Sequence, residues 1–134
     1  MPEPLTLGVH HVGLAVPDIE TAERFFVEVL GWSVVGGRPS YPAVFVSDGS
    51  TRLTLWRVAD PETANPFDRR GNVGLHHLAL KVADRTVLGA VFERVQAHPG
   101  VNVEFEPEPV HEGSQTHHFI CSMPGGVRIE FATA

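Results

Sequence analysis

From residue 8 to residue 16 the chain alternates. Val12, Leu14 and Val16 fall on one side, and His11, Gly13 and Ala15 on the other. A period of two predicts a strand with one buried face. Pro17 ends it, and Asp18 predicts a helix N-cap, with Glu20 and Glu23 in the first turns where the dipole favours acids. Ile19, Ala22, Phe26, Val29 and Leu30 then recur at helical spacing, and Gly31 predicts a left-handed cap. Extended runs follow at 32–35, 43–47 and 51–58, with turns expected at Gly36-Gly37 and Asp48-Gly49. Residues 59–72 are polar, contain prolines and read as a linker.

The pattern then starts again. Residues 73–82 predict a strand, Asp84 caps a helix with Val87, Val91, Phe92 and Val95 on its apolar side, and His98-Pro99-Gly100 ends it. Extended runs are expected at 101–105, 116–123 and 127–133, with Pro124-Gly125-Gly126 as the last turn. HHVGLAVPD at 10–18 and HHLALKVAD at 76–84 match at an offset of 66, which also pairs Phe26 with Phe92 and Val29 with Val95. Near the module ends the offset becomes 76, pairing Gly49 with Gly125, Arg52 with Arg128, Leu53 with Ile129 and Thr54 with Glu130. The reading is one domain over 1–134, built from module 1 (8–58), a linker (59–72) and module 2 (73–134). Each βαβββ module alone leaves a sheet face bare, so two copies must pair, within a chain or between chains.

Composition narrows the function. Hydrophobic residues make up 43% of the 134, enough for a globular interior, and no apolar run approaches the ~20 residues of a membrane span. A net charge of −6 without a basic cluster argues against nucleic acid and anionic membrane as partners. The single cysteine, Cys121, excludes an internal disulfide and suits a reducing cytoplasm. Six of the eight histidines come as doublets: His10-His11, His76-His77 and His117-His118.

Alternation sorts these residues by face. His11, His77 and Glu130 point away from the core sides of their strands. If both sheets curve around one cavity, the three converge there, and two imidazoles with one carboxylate are a common divalent-metal set. His10 and His76 are expected at the helix side or strand end, although a one-residue slip of register exchanges their roles with His11 and His77. His118 shares a strand face with Ile120 and is a candidate general base or extra ligand. An exposed outer-strand histidine is the alternative. Arg52 and Trp56 flank Thr54 on its face and are candidate contacts for an anionic or aromatic ligand. His111, in the loop PVHEGSQ, stands where it could cover the cavity mouth. Cys121 falls on the opposite face, as an inert core thiol.

HHVGLAVPDIETAERFFVEVLGW, GLHHLALKVAD and PGGVRIEF resemble the three signatures of the vicinal oxygen chelate superfamily. That group holds glyoxalase I, fosfomycin-resistance thiol transferases, methylmalonyl-CoA epimerase, extradiol dioxygenases and metal-free bleomycin-binding proteins. The resemblance covers nearly the whole chain. It implies an α+β fold of two tandem βαβββ modules forming a curved mixed sheet around a central cavity. It also implies one divalent ion (zinc, nickel, manganese or iron(II)) on His11, His77 and Glu130, with Thr54 at the remaining ligand position and hence a three-ligand site. The implied function is a metal-dependent lyase or isomerase of glyoxalase type, binding the neighbouring oxygens of a small substrate. Glu130 and His118 are then catalytic, and Arg52, Trp56 and His111 touch substrate. An iron-dependent extradiol dioxygenase is one alternative, although the strand at 116–123 lacks the tyrosine that ring-cleaving members carry there. A metal-free small-molecule or drug-binding protein is the other, and such members usually lack the ligand histidines. A cytoplasmic homodimer is expected, with the ligands drawn from one chain or from two.

Overall fold

β1 (Val12–Val16) lies parallel to β4 (Arg52–Arg57), which pairs antiparallel with β3 (Ala43–Ser47), which pairs with β2 (Ser33–Arg38). In this computed structural model, which describes residues 2–134, a second sheet repeats the plan. There β5 (Leu78–Val82) runs parallel to β9 (Arg128–Thr133), and β9 pairs with β8 (His117–Ser122). Short strands β6 (Asn102–Val103) and β7 (Glu108–Pro109) both lie on β8. The duplication holds at the level of register. The sequence offsets of 66 and 76 carry the pairs Val12–Leu53 and Gly13–Thr54 onto Leu78–Ile129 and Ala79–Glu130.

Each module's helix starts where its aspartate predicts. Asp18 accepts from the Glu20 and Thr21 N–H groups ahead of α1 (Ile19–Arg24), and Asp84 accepts from Val87 N–H ahead of α2 (Arg85–Ala97). α1 widens into a π-type turn over Phe25–Val29 and stops at Gly31, whose φ of +77° is the left-handed cap. On α2 the buried face is Leu88, Phe92 and Val95. Val87, expected on the apolar side, is exposed in the first turn.

The helical sides of both sheets share one core. Leu14, Val16, Phe25, Phe26, Leu53 and Leu55 are continuous with Leu80, Phe92, Phe119, Ile129 and Phe131. Arg94 crosses between modules, donating from Nη1 to the Val29 carbonyl at 3.3 Å. This packing leaves the other face of each sheet free for chemistry.

Three details depart from the sequence pattern. The α+β fold of two βαβββ modules is as expected, with its mixed strands in two sheets rather than one. The two sheets are separate, and β1 and β5 are each an edge strand. β1 and β5 also begin later than the alternation, so His11 and His77 stand just ahead of them. Finally, Gly36-Gly37 is not a turn but lies within β2, at a bulge between Val34 and Gly36. A Cβ on Gly36 would meet the Phe45 ring at 3.0 Å, and one on Gly37 would lie 2.8 Å from the Ala43 carbonyl. These glycines are required by close approach to β3, and the chain turns only afterwards, at residues 39–42.

Cys121 is fully buried, and burial, with Glu104 nearby, pushes its thiol up to about 12. It is therefore expected to resist a thiol reagent in the native protein and to react once per chain in denaturant. Rapid labelling of the native protein would contradict this placement. Among the described residues, no helix is long and apolar enough to cross a membrane.

Candidate functional site

On the free face of the second sheet, Glu130 is the centre. β9 pairs it with Ala79 on one side and Ile120 on the other, so its side chain shares a face with His77 and His118. His77 Nε2 lies 3.1 Å from Glu130 Oε1, and His118 Nδ1 lies 2.5 Å from Oε2. The Glu130 and His118 side chains are only 16% and 15% exposed, and that of His77 is 34% exposed. Phe105 packs beside His118, with ring centroids 5.1 Å apart.

The hydrogen bonds around His77 select its tautomer. His76 Nδ1 and His77 Nδ1 are 2.8 Å apart, and Arg128 Nη1 lies 3.4 Å from the same His76 nitrogen. Arg128 can only donate, so His76 Nδ1 is the acceptor and His77 Nδ1 carries the hydrogen. Lost hydration, then the Arg128 charge, holds His76 below the ordinary imidazole pKa, consistent with a neutral acceptor ring. His77 Nε2 then faces a carboxylate oxygen, and this arrangement is favourable only with a positive centre between them, either a proton or a cation. A separation of 3.1 Å is that of an ordinary N–H···O hydrogen bond, and the same two atoms are the donors that would hold an ion. An imidazole whose other nitrogen is anchored in this way is the usual form of a metal-binding histidine. The donor set therefore fits a divalent ion. The two histidines grip opposite oxygens of Glu130, however, and among the described residues no three His, Cys, Asp or Glu side chains form a ready metal cage.

His11 is elsewhere. It lines a cavity of about 900 Å³ on the free face of the first sheet, with Arg52, Thr54 and Trp56. Its Nδ1 pairs with His10 Nδ1 at 2.8 Å, reproducing the doublet geometry of His76 and His77. Thr54, opposite Glu130 in the repeat, is buried and accepts the Trp56 indole N–H at 2.8 Å. Where the second module has its carboxylate, the first has an anchor for an aromatic ring. The structure thus brings together His77, Glu130 and His118, and separately His11, Arg52 and Trp56. His111 is exposed in the loop after β7, beside the Glu112 carbonyl, and is not among the residues lining the cavity. His117 turns to the helical side, near Arg85 and Thr86.

Glu104 and Phe105 lie past β6, which stops at Val103, short of the extended run expected to 105, and alternation alone does not say that Glu104 binds Arg128 or that Phe105 packs on His118. Glu104 binds Arg128 bidentately, at 2.7 and 2.9 Å, and these bonds hold its carboxyl below the usual carboxylate range. Its stabilising effect is present above the unfolded carboxylate pKa and is lost as pH falls through the lowered folded value. Glu104→Gln is expected to cost about 2 kcal/mol at pH 7 and less in acid, read as melting temperatures at pH 7 and pH 3. An equal loss at both pH values would contradict this.

Comparison with known proteins places this geometry. The profile of the Glyoxalase/Bleomycin resistance protein/Dioxygenase superfamily matches residues 8–131. A 2-epi-5-epi-valiolone epimerase from an Actinomyces species is 32% identical over 129 residues, covering 82% of this chain and 69% of that protein. A catechol-2,3-dioxygenase from Bacillus subtilis is 30% identical over 102 residues, covering 72% of this chain but only 33% of that protein. The crystal structure of a glyoxylase/bleomycin resistance protein/dioxygenase domain from Frankia superposes with a TM-score of 0.78 at 22% identity, covering 96% of this chain and 93% of that one. Proteins of this group commonly use a divalent metal ion and bind small-molecule substrates. With the profile matched from the first strand to the last and the duplicated βαβββ plan present in the fold, this chain belongs to the Glyoxalase/Bleomycin resistance protein/Dioxygenase superfamily.

Proposed function

We propose that the chain is a divalent-metal-dependent lyase or isomerase acting on a small substrate with neighbouring oxygens, its metal ligands being His11, His77 and Glu130. The observation that carries this reading is the close approach of His77 Nε2 to Glu130 Oε1, at 3.1 Å. When bound, zinc, nickel, manganese or iron(II) would supply Lewis-acid stabilisation of charge on the substrate oxygens. The chain's own residues do the rest. His77 and Glu130 orient the reacting group. His118 has Nδ1 engaged by Glu130, which leaves Nε2 to take a proton from substrate carbon and return it. Arg52 and Trp56 hold the substrate body. The relative named as an epimerase, matched over most of its length, supports isomerase chemistry over ring cleavage.

His11 reaches this set through a second copy of the chain. β1 and β5 are edge strands, and the segments leading into them carry exposed Leu5, Leu7, Val9 and Val73. A homodimer that pairs these edges would cover apolar surface and bring the partner subunit's His11 to His77 and Glu130. A cytoplasmic location, suited to the free Cys121, goes with this reading.

Elemental analysis tests it. The wild-type protein is expected to hold one divalent ion per chain, and His77→Ala to hold none. A metal-free wild type would favour a drug-binding protein instead, and iron with oxygen uptake on catechols would favour a dioxygenase.

A further inference from the structure

The chain carries 10 basic and 16 acidic residues, yet the cavity of about 900 Å³ on the first sheet has the opposite balance. Arg38, Arg52 and Arg57 line it, and no aspartate or glutamate does. Among the described residues, none of the three is paired with a carboxylate. Arginines gathered without counter-ions in a concave, partly apolar site mark a place for an anion from outside the chain.

The strand register orders the cavity. Arg38 on β2, Ala43 on β3, Trp56 on β4 and Ala15 on β1 form one row across the sheet. Arg57 flanks the same end, where its N–H is bonded to the Pro42 carbonyl. Tyr41 meets Trp56 edge-on there, with centroids 4.9 Å apart. Arg52 lies four residues back along β4, about 13 Å away at the rise of an extended strand, on the side of His11. Between the two ends, Thr54 and Phe45 line the floor. Ala43 leaves clear the position that His118 fills in the second module.

We propose that this face binds an anionic substrate with a flat, conjugated or ring body. Its carboxylate or phosphate is held by Arg38 and Arg57, its body rests against Trp56, and its other end points toward Arg52 and His11. The proposal rests on the reading above in taking this face as the substrate face, but anion binding does not require the metal site.

Trp56 reports binding directly, because the only other tryptophan, Trp32, is buried in the core. Metal-stripped protein is titrated with benzoate, phenyl phosphate and neutral benzamide, following tryptophan fluorescence. At least one anion is expected to bind about tenfold or more tighter than benzamide, with the advantage falling in high salt. The tighter anion identifies the group as carboxylate or phosphate. Arg38→Gln with Arg57→Gln is expected to remove the preference, and Arg38→Lys with Arg57→Lys to restore part of it, since charge survives but the bidentate fork does not. Circular dichroism confirms folding of each variant. Equal binding of benzoate, phenyl phosphate and benzamide by the wild type would overturn the proposal, as would an undiminished preference in the folded glutamine variant. Metal analysis on the same preparations is read separately, so failure of the metal-site reading is distinguishable from failure of this one.

Discussion

Glu130→Ala is expected to lower the affinity for a divalent ion by at least about a hundredfold, more than loss of an outer hydrogen-bond partner costs. Among the described residues, Glu130 is the only carboxylate that either His77 or His118 touches. Without it, two imidazoles remain on opposite sides of an empty position and no negative charge offsets the cation. Any lyase or isomerase activity should fall with the metal, because His118 also loses the group that orients its ring. Glu130→Gln separates the two effects: it keeps the shape and much of the hydrogen bonding but not the charge, so it should fold as the wild type does and still bind metal poorly. Calorimetric titration with zinc or manganese checks both variants. Wild-type affinity in Glu130→Gln would show that the carboxylate is structural.

The largest expected loss of stability is at Phe119. It is fully buried on β8, stacks on Phe131 across the β8–β9 pair at 5.1 Å, and meets Phe92 of α2 edge-on at 5.3 Å. Truncation removes one ring from a three-ring contact that joins sheet to helix, and a packed core collapses only partly into the space. Phe119→Ala should cost about 3–5 kcal/mol, lowering the melting temperature by roughly 10–20 °C. Its neighbour His118 faces the other way, so the fraction that remains folded should bind metal as the wild type does. A shift of only a degree or two would mean that these rings do not form the core of the second module.

The duplicated modules were readable because a strand with one buried face and a helix with an apolar stripe leave periods in the sequence, and copying preserved both. Gly13, Thr54, Ala79 and Glu130 could be placed by counting alone, and the registers agree with that count. Glycines misled where the reason for them was contact: Gly36 and Gly37 read as a turn, but β3 lies too close for a side chain. Arg38, Arg57 and Tyr41 could not be placed in the cavity by counting: Arg38 and Tyr41 border the turn after β2, and Arg57, at the end of β4, falls on the face opposite Trp56 by alternation. That His118 shares a face with Glu130 could be counted back through the last turn, but its contact with Oε2 while His77 reaches Oε1 is a matter of side-chain direction that alternation does not supply. The separation of His11 from Glu130 depends on how two modules pack through their helices, and no local pattern encodes that.

Mixed dimers test the two-chain site most directly. His11→Ala and Glu130→Ala are each expected to purify without metal. When the two are co-expressed, half the dimers should combine one of each, and one of the two sites in such a dimer is then intact. The mixture should therefore hold about a quarter of the wild-type metal content. Metal retained by His11→Ala alone, or a mixture as empty as its two components, would contradict a site shared between subunits.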